Sequence, residues 1–191
     1  MPEDPQQSMS LKGEFLFAMP ALHDPNFSRS VVCVCEHTPD GALGLVVNRL
    51  YPSLTGADIF AELNIACQEG GATIPVYTGG PVHVGEVFVL HGPPFDWAGC
   101  LPIRPWLALS NTRDVLEAIA MGHGPAAYLI LLGCSGWGGG QLEAELRENS
   151  WITAPADETI MFQVPVEERW QQGLAAMKID PALLSNTIGN A

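Results

Sequence analysis

The chain has 191 residues, of which 47% are apolar and 15% charged, with a mean hydropathy of +0.16. That length fits one domain and that composition excludes a disordered chain, while a domain of this size buries roughly 70% of its unfolded surface. Eight Lys and Arg stand against 21 Asp and Glu, a formal charge of −13.

Residues 1–10, which begin Met1-Pro2-Glu3-Asp4-Pro5, read as a flexible leader, leaving 11–191 as a single domain. Residues 15–18 give a short strand stopped by Pro20, and Asp24-Pro25-Asn26 is turn chemistry in the loop that follows. Residues 30–36 are β-branched and apolar, Thr38-Pro39-Asp40-Gly41 is a turn signal, and residues 42–48 run back as a hairpin. Thr55 caps a short helix carrying Ile59, Phe60 and Leu63. Strands at 74–77 and 84–91 flank the break Thr78-Gly79-Gly80-Pro81, and 103–109 is extended. Asn111 caps a helix over 112–121. Residues 126–132 form a strand buried on both faces, and the glycine-rich loop 133–140 leads into a helix over 141–149. A last helix runs from 166 to 177 behind Pro165. Antiparallel strands early and strand–helix alternation later predict one compact α+β domain, a mixed sheet with flanking helices.

The eight cations are never closer than nine positions, and residues 50–103 contain none. Binding a phosphate backbone needs clustered cations, so direct nucleic-acid binding is not expected. The longest apolar run, 126–132, is far short of the roughly 20 residues that span a bilayer, so no membrane span is expected. The N-terminus is acidic, the reverse of a signal peptide. Five cysteines without framework spacing suit free thiols in a reducing cytosol, which predicts a cytoplasmic protein.

The strand–glycine–helix segment at 126–149 admits two readings, an anion-binding turn or a tight turn packing a helix on a sheet. No phosphate fingerprint fits it, since Gly139-Gly140 stand where a P-loop carries Lys and Ser or Thr. Gly133-Cys134-Ser135-Gly136-Trp137 has part of a nucleophile elbow, but Trp occupies the fifth position and no His follows Ser135. Cys33, Cys35 and His37 alternate onto one strand face. At about 3.3 Å per residue, Cys33 and His37 lie roughly 13 Å apart, too far to share a zinc ion. No metal site and no structural disulfide are expected. The five tryptophans form no periodic stripe and read as packing and partner surface.

Ordered blocks run along the chain: Leu11-Lys12-Gly13-Glu14-Phe15-Leu16; Asp24-Pro25-Asn26-Phe27-Ser28-Arg29-Ser30; Glu36-His37; Gly41-Ala42-Leu43-Gly44-Leu45-Val46-Val47-Asn48-Arg49. Gly79-Gly80-Pro81-Val82, Leu90-His91, Leu132-Gly133, Ser135-Gly136-Trp137, Gly140-Gln141-Leu142-Glu143, Asn149, Trp151 and Gly189-Asn190-Ala191 follow. Together they resemble the YqgE/AlgH family of bacterial proteins over nearly the whole chain. Leu50-Tyr51 and Cys134 depart from it, where the family usually has Pro after the Arg and an aromatic. The resemblance implies a single α+β domain with a mixed, curved sheet, no established enzymatic activity, cofactor or ligand, and a regulator label drawn from one branch.

The loops after Val46-Val47, at Gly79-Gly80-Pro81, after Leu90 and after Leu132 each adjoin an apolar strand, and are expected to gather at one rim of the sheet. Arg49 is the anion anchor there, with Asn48, His91 and Gln141 as neutral donors and Ser135 and Trp137 lining the wall. The alternative is that Arg49 pairs with an acid such as Glu36 and pins the hairpin. The function expected is non-catalytic binding or regulation, without a cofactor, through a protein or small-ligand partner. The alternative is an enzyme or nucleotide-like ligand binder using His37, Asn48, Arg49, His91, Ser135 and Gln141 in one cleft.

Overall fold

The computed structural model describes residues 10–22, 24–68 and 70–184. Most of the expected leader, His23 and the closing Gly189-Asn190-Ala191 lie outside them. The elements are β1 (Glu14–Ala18), β2 (Val31–Thr38), β3 (Gly41–Val46), β4 (Leu50–Thr55), α1 (Gly56–Glu62), β5 (Pro75–Thr78), β6 (Val82–His91), β7 (Leu101–Arg104) and β8 (Leu107–Ser110). There follow α2 (Arg113–Ala120), β9 (Tyr128–Gly138), α3 (Gln141–Arg147), β10 (Trp151–Pro155), α4 (Glu158–Phe162), α5 (Arg169–Ala176) and α6 (Pro181–Leu184). The strands lie in the order β10-β1-β2-β3-β9-β6-β8-β7, with β5 beside β9 and β4 beside β5. Only β5 and β9 pair in parallel among the pairs described, so the sheet is mixed and the domain α+β.

β9 is the spine, and it corrects the expectation of a glycine loop over 133–140. The strand continues through Gly138, pairing first with β5 and β6 and then, at Ser135–Gly138, with β3. Residues 79–81 leave the end of β5 and cross to β6 directly over Gly133 and Cys134. A Cβ at Gly79 would collide with the Gly133 carbonyl, and one at Gly80 with the Cys134 carbonyl. The glycines serve this close approach of two backbones.

One face of the sheet buries Phe15, Phe17, Leu45, Leu90 and Leu131 under Met161 of α4 and Trp170 and Leu174 of α5. The other face carries two patches. Ile59 and Phe60 of α1 and Val115 and Ile119 of α2 cover Val76, Val89 and Ile130. Leu142 of α3 packs with Trp137 and Trp151 on Leu16, Val32 and Val46. The side-chain alternation of β9 flips at Gly133, so Leu131 and Trp137 face opposite ways.

Three further expectations change. The extended stretch 103–109 is a hairpin, β7 and β8, turning at Pro105-Trp106. The cap of α2 is Thr112, not Asn111, and its hydroxyl donates to the Ala98 carbonyl at 2.6 Å. Cys33, Cys35 and His37 do not share a face. A register shift between Val34 and Glu36 places Cys33 and Cys35 in the core beneath α5, while His37, opposite Ala42, turns to the α3 side. The Thr55 cap holds, its N–H donating to Asp58 Oδ2 at 2.7 Å. Among the described residues no helix is long and apolar enough to cross a membrane.

Candidate functional site

Where β3 ends, Val47-Asn48-Arg49 clamp the loop of residues 24–29. Asn48 Oδ1 accepts from Val31 N–H at 2.8 Å, and its Nδ2 donates to the Arg29 carbonyl at 2.9 Å. Arg49 donates to the Ser28 carbonyl at 2.8 Å and to that of Pro25 at 3.4 Å. Partial burial pulls the Arg49 guanidinium below its ordinary range, and nearby Asp24 opposes that shift. Among the described residues Arg49 makes no ion pair with Glu36 and donates instead to the loop carbonyls, so the hairpin-pinning alternative is replaced by a loop-pinning one.

The clamp sets Arg29 in the left-handed region, at φ 52°. Its guanidinium lies over the Trp170 ring, 5.7 Å from the centroid, and donates no hydrogen bond among the described residues. Trp170 is itself fixed by donating Nε1–H to the Ala18 carbonyl at 3.0 Å. Behind them Arg169 is buried, donating to the carbonyls of Val47 and Val164 and lying 5.5 Å from the Tyr77 ring centroid.

Arg29 and Arg49, dispersed in sequence, thus line one hollow, with Arg169 buried behind Val47. Among the described residues none of Arg29, Arg49 and Arg169 has a carboxylate within 4.0 Å. A groove runs past them. A hollow of about 270 Å³ lies between Met19, Leu22 and Trp170, and a second of about 230 Å³ between Asn48, Arg49, Glu167 and Gln171. Both include Ser28 and Arg29. A third, of about 160 Å³, lies beyond Arg49 against Val46, Gly80, Pro81 and Val84. Planar guanidinium forks with open donors are suited to hold a carboxylate or a phosphate.

The expected single rim resolves into three places. Asn48, Arg49 and Gly80 belong to the groove, and Gly79 to the crossing beside it. Ser135 is buried beneath that crossing, its hydroxyl donating to the Gly79 carbonyl at 3.3 Å. His91 lies at the far end of β6, fully buried. Its Nδ1–H donates to the Gly92 carbonyl at 2.7 Å, and the Ser110 hydroxyl donates to Nε2 at 2.9 Å. Burial lowers its pKa below the usual histidine value.

Trp137, Gln141 and His37 surround α3 instead. Gln141 Oε1 accepts from Gly138 N–H at 3.0 Å, and Trp137 Nε1–H donates to Glu145 at 2.9 Å. His37 Nε2–H donates to Glu143 at 2.9 Å, and its Nδ1 accepts from Leu11 N–H at 3.0 Å. With partners on both nitrogens, His37 fastens the start of the domain. Sequence reasoning singles out neither Arg29 nor Arg169, and it places Trp170 only among the tryptophans of packing and partner surface. The available signal was the turn Asp24-Pro25-Asn26 just before Arg29, which marks a loop in need of anchoring.

The AlgH-like family model matches residues 15–182. A UPF0301 protein of Desulforapulum autotrophicum is 48% identical over 187 residues, covering 98% of this chain and 99% of its own. The solution structure of the AlgH protein from Pseudomonas aeruginosa is 41% identical, covers both chains fully and superposes with a TM-score of 0.79. A crystal structure of protein DIP2367 from Corynebacterium diphtheriae shares the fold, with a TM-score of 0.71 at 19% identity over 96% of this chain and 92% of its own. The match spans the strands, the clamped loop and α5 alike, and the chain belongs to the AlgH-like family.

Proposed function

We propose that this is a non-catalytic binding protein that recognises an anionic group, on a protein or a small-ligand partner, in the groove between Arg29 and Arg49. One observation carries this. In a chain of charge −13, the Arg29 guanidinium lies over the Trp170 ring and donates no hydrogen bond among the described residues. A cation with no carboxylate within 4.0 Å among the described residues is available for a ligand's charge. Duplex DNA is a poor candidate, because the field of the whole molecule repels it. The free thiols of the buried cysteines suit a reducing compartment, which supports a cytoplasmic setting.

The test is a titration at constant ionic strength with acetate and with inorganic phosphate, following the Arg Nε–H signals by NMR. Saturable shifts at Arg29 and Arg49, lost at the groove in Arg29→Gln, support the proposal. Shifts no larger than those produced by chloride overturn it.

A further inference from the structure

We propose that the groove takes an extended acidic peptide segment of a partner protein, with one carboxylate side chain between Arg29 and Arg49 and an apolar side chain in the hollow at each end. This rests on the anion-binding role above and adds the class of ligand.

The shape favours a chain over a compact ligand. Each hollow is smaller than the roughly 300 Å³ at which small-molecule pockets begin, the largest being about 270 Å³. They share lining residues in series, the first two Ser28, Arg29 and Trp170 and the last two Arg49. An extended segment points alternate side chains the same way, about 6.6 Å apart, so it offers one group to each hollow in turn.

The lining gives the pattern. Met19, Pro20 and Leu22 make one end apolar, and Val46, Pro81 and Val84 the other, with the two guanidiniums between. Val84 is 68% exposed, and Leu50, next to Arg49, is 47% exposed, so apolar surface is left for a partner at that end.

Charge selects a monoanion. The charged residues lining the groove are Arg29, Arg49 and Glu167, which leave an excess of one positive charge. A carboxylate balances that excess. A phosphate dianion overshoots it, in a molecule that already carries −13. Arg49 is held before binding by the loop carbonyls and Arg29 lies over the Trp170 ring, which reduces the side-chain entropy lost on contact.

The probe is the blocked peptide acetyl-Leu-Thr-Glu-Thr-Leu-amide, with its Glu→Gln analogue and inorganic phosphate as separate arms. Expected are NMR shifts at the Trp170 indole, at Arg29 and Arg49 Nε and at the Leu22 and Val84 methyls. The Gln analogue should bind about tenfold more weakly, the worth of one charge-assisted hydrogen-bonded contact. Arg29→Gln and Arg49→Gln should each weaken the Glu peptide similarly, with an unchanged fold checked by the remaining spectrum. Equal affinity for the two peptides, or shifts that map elsewhere, overturns the proposal. Binding of phosphate without the peptide overturns it and leaves the anion-binding role standing. Binding of neither overturns both.

Discussion

Trp137 and Trp151 share one acceptor, both indole N–H groups donating to Oε2 of Glu145, at 2.9 and 2.8 Å. Gln141 Nε2 donates to the other oxygen at 3.0 Å. The two indoles meet edge-on, and Phe27 of the clamped loop packs against both. One carboxylate therefore ties α3, β9 and β10 to the loop that presents Arg29. Glu145→Ala strands two buried indole donors and should cost about 3 kcal/mol, whereas Glu145→Gln keeps an acceptor oxygen and should cost about 1 kcal/mol. Urea denaturation of the two variants measures both values. Equal small losses would show that the indoles find other partners.

Arg169 is a buried cation whose partners are carbonyls and the Tyr77 ring. Arg169→Met preserves the packing of its stem but leaves the carbonyls of Val47 and Val164 without their donor. The expected destabilisation is about 2 to 3 kcal/mol, the cost of two buried acceptors left unpaired. Because Val47 immediately precedes Asn48 and Arg49, the clamp on residues 24–29 should loosen with it. Hydrogen exchange at the Val31 amide, which donates to Asn48, reads that loosening directly. A variant as stable as the parent, with unchanged exchange, would mean that the carbonyls had found other donors.

Local chemistry was legible where the cause is local. Thr38-Pro39-Asp40-Gly41 turns, Thr55 caps, and a helix follows Pro165, where α5 packs Trp170 and Leu174 inward. What failed has a non-local cause. Gly133 to Gly138 reads as a loop because glycine usually marks one, yet the segment is a strand whose Gly133 faces the crossing at Gly79-Gly80. A lone sequence carries no trace of a backbone passing overhead. The site divides the same way. Asn48 and Arg49 follow an apolar strand and stand out, but Arg29 acquires meaning only against Trp170, which lies on a distant helix. His91 looks like a strand-end ligand until Ser110 and Gly92 are seen to satisfy both ring nitrogens.

His91 gives stability a pH dependence. Burial lowers its folded pKa below the unfolded value of about 6.5, so the unfolded chain takes up the proton first. Its contribution is complete above about pH 6.5 and is lost as the pH falls through the lower folded value. His91→Gln removes this titration. The stability gap between parent and variant should be largest at pH 7.5 and narrow by pH 5.5, as read from urea midpoints. A gap that widens on acidification would mean that the folded state prefers a protonated His91.

The five cysteines should differ sharply in reactivity. Cys33, Cys35 and Cys134 are buried, Cys100 is half-buried and Cys67 is exposed. The hydrogen bond to Cys33, and burial, push the Cys35 thiol well above its ordinary range. Burial likewise raises Cys134, with the negative charge of Glu86 adding to it. The thiolate is the reactive form, so a raised pKa and exclusion of reagent act in the same direction. In native protein at pH 8, DTNB should titrate two thiols rapidly, and iodoacetamide labelling followed by peptide mass spectrometry should locate them at Cys67 and Cys100. All five should react once urea unfolds the chain. Fast labelling of Cys35 in the folded protein would contradict the burial, and a count below five in denaturant would reveal an oxidised pair.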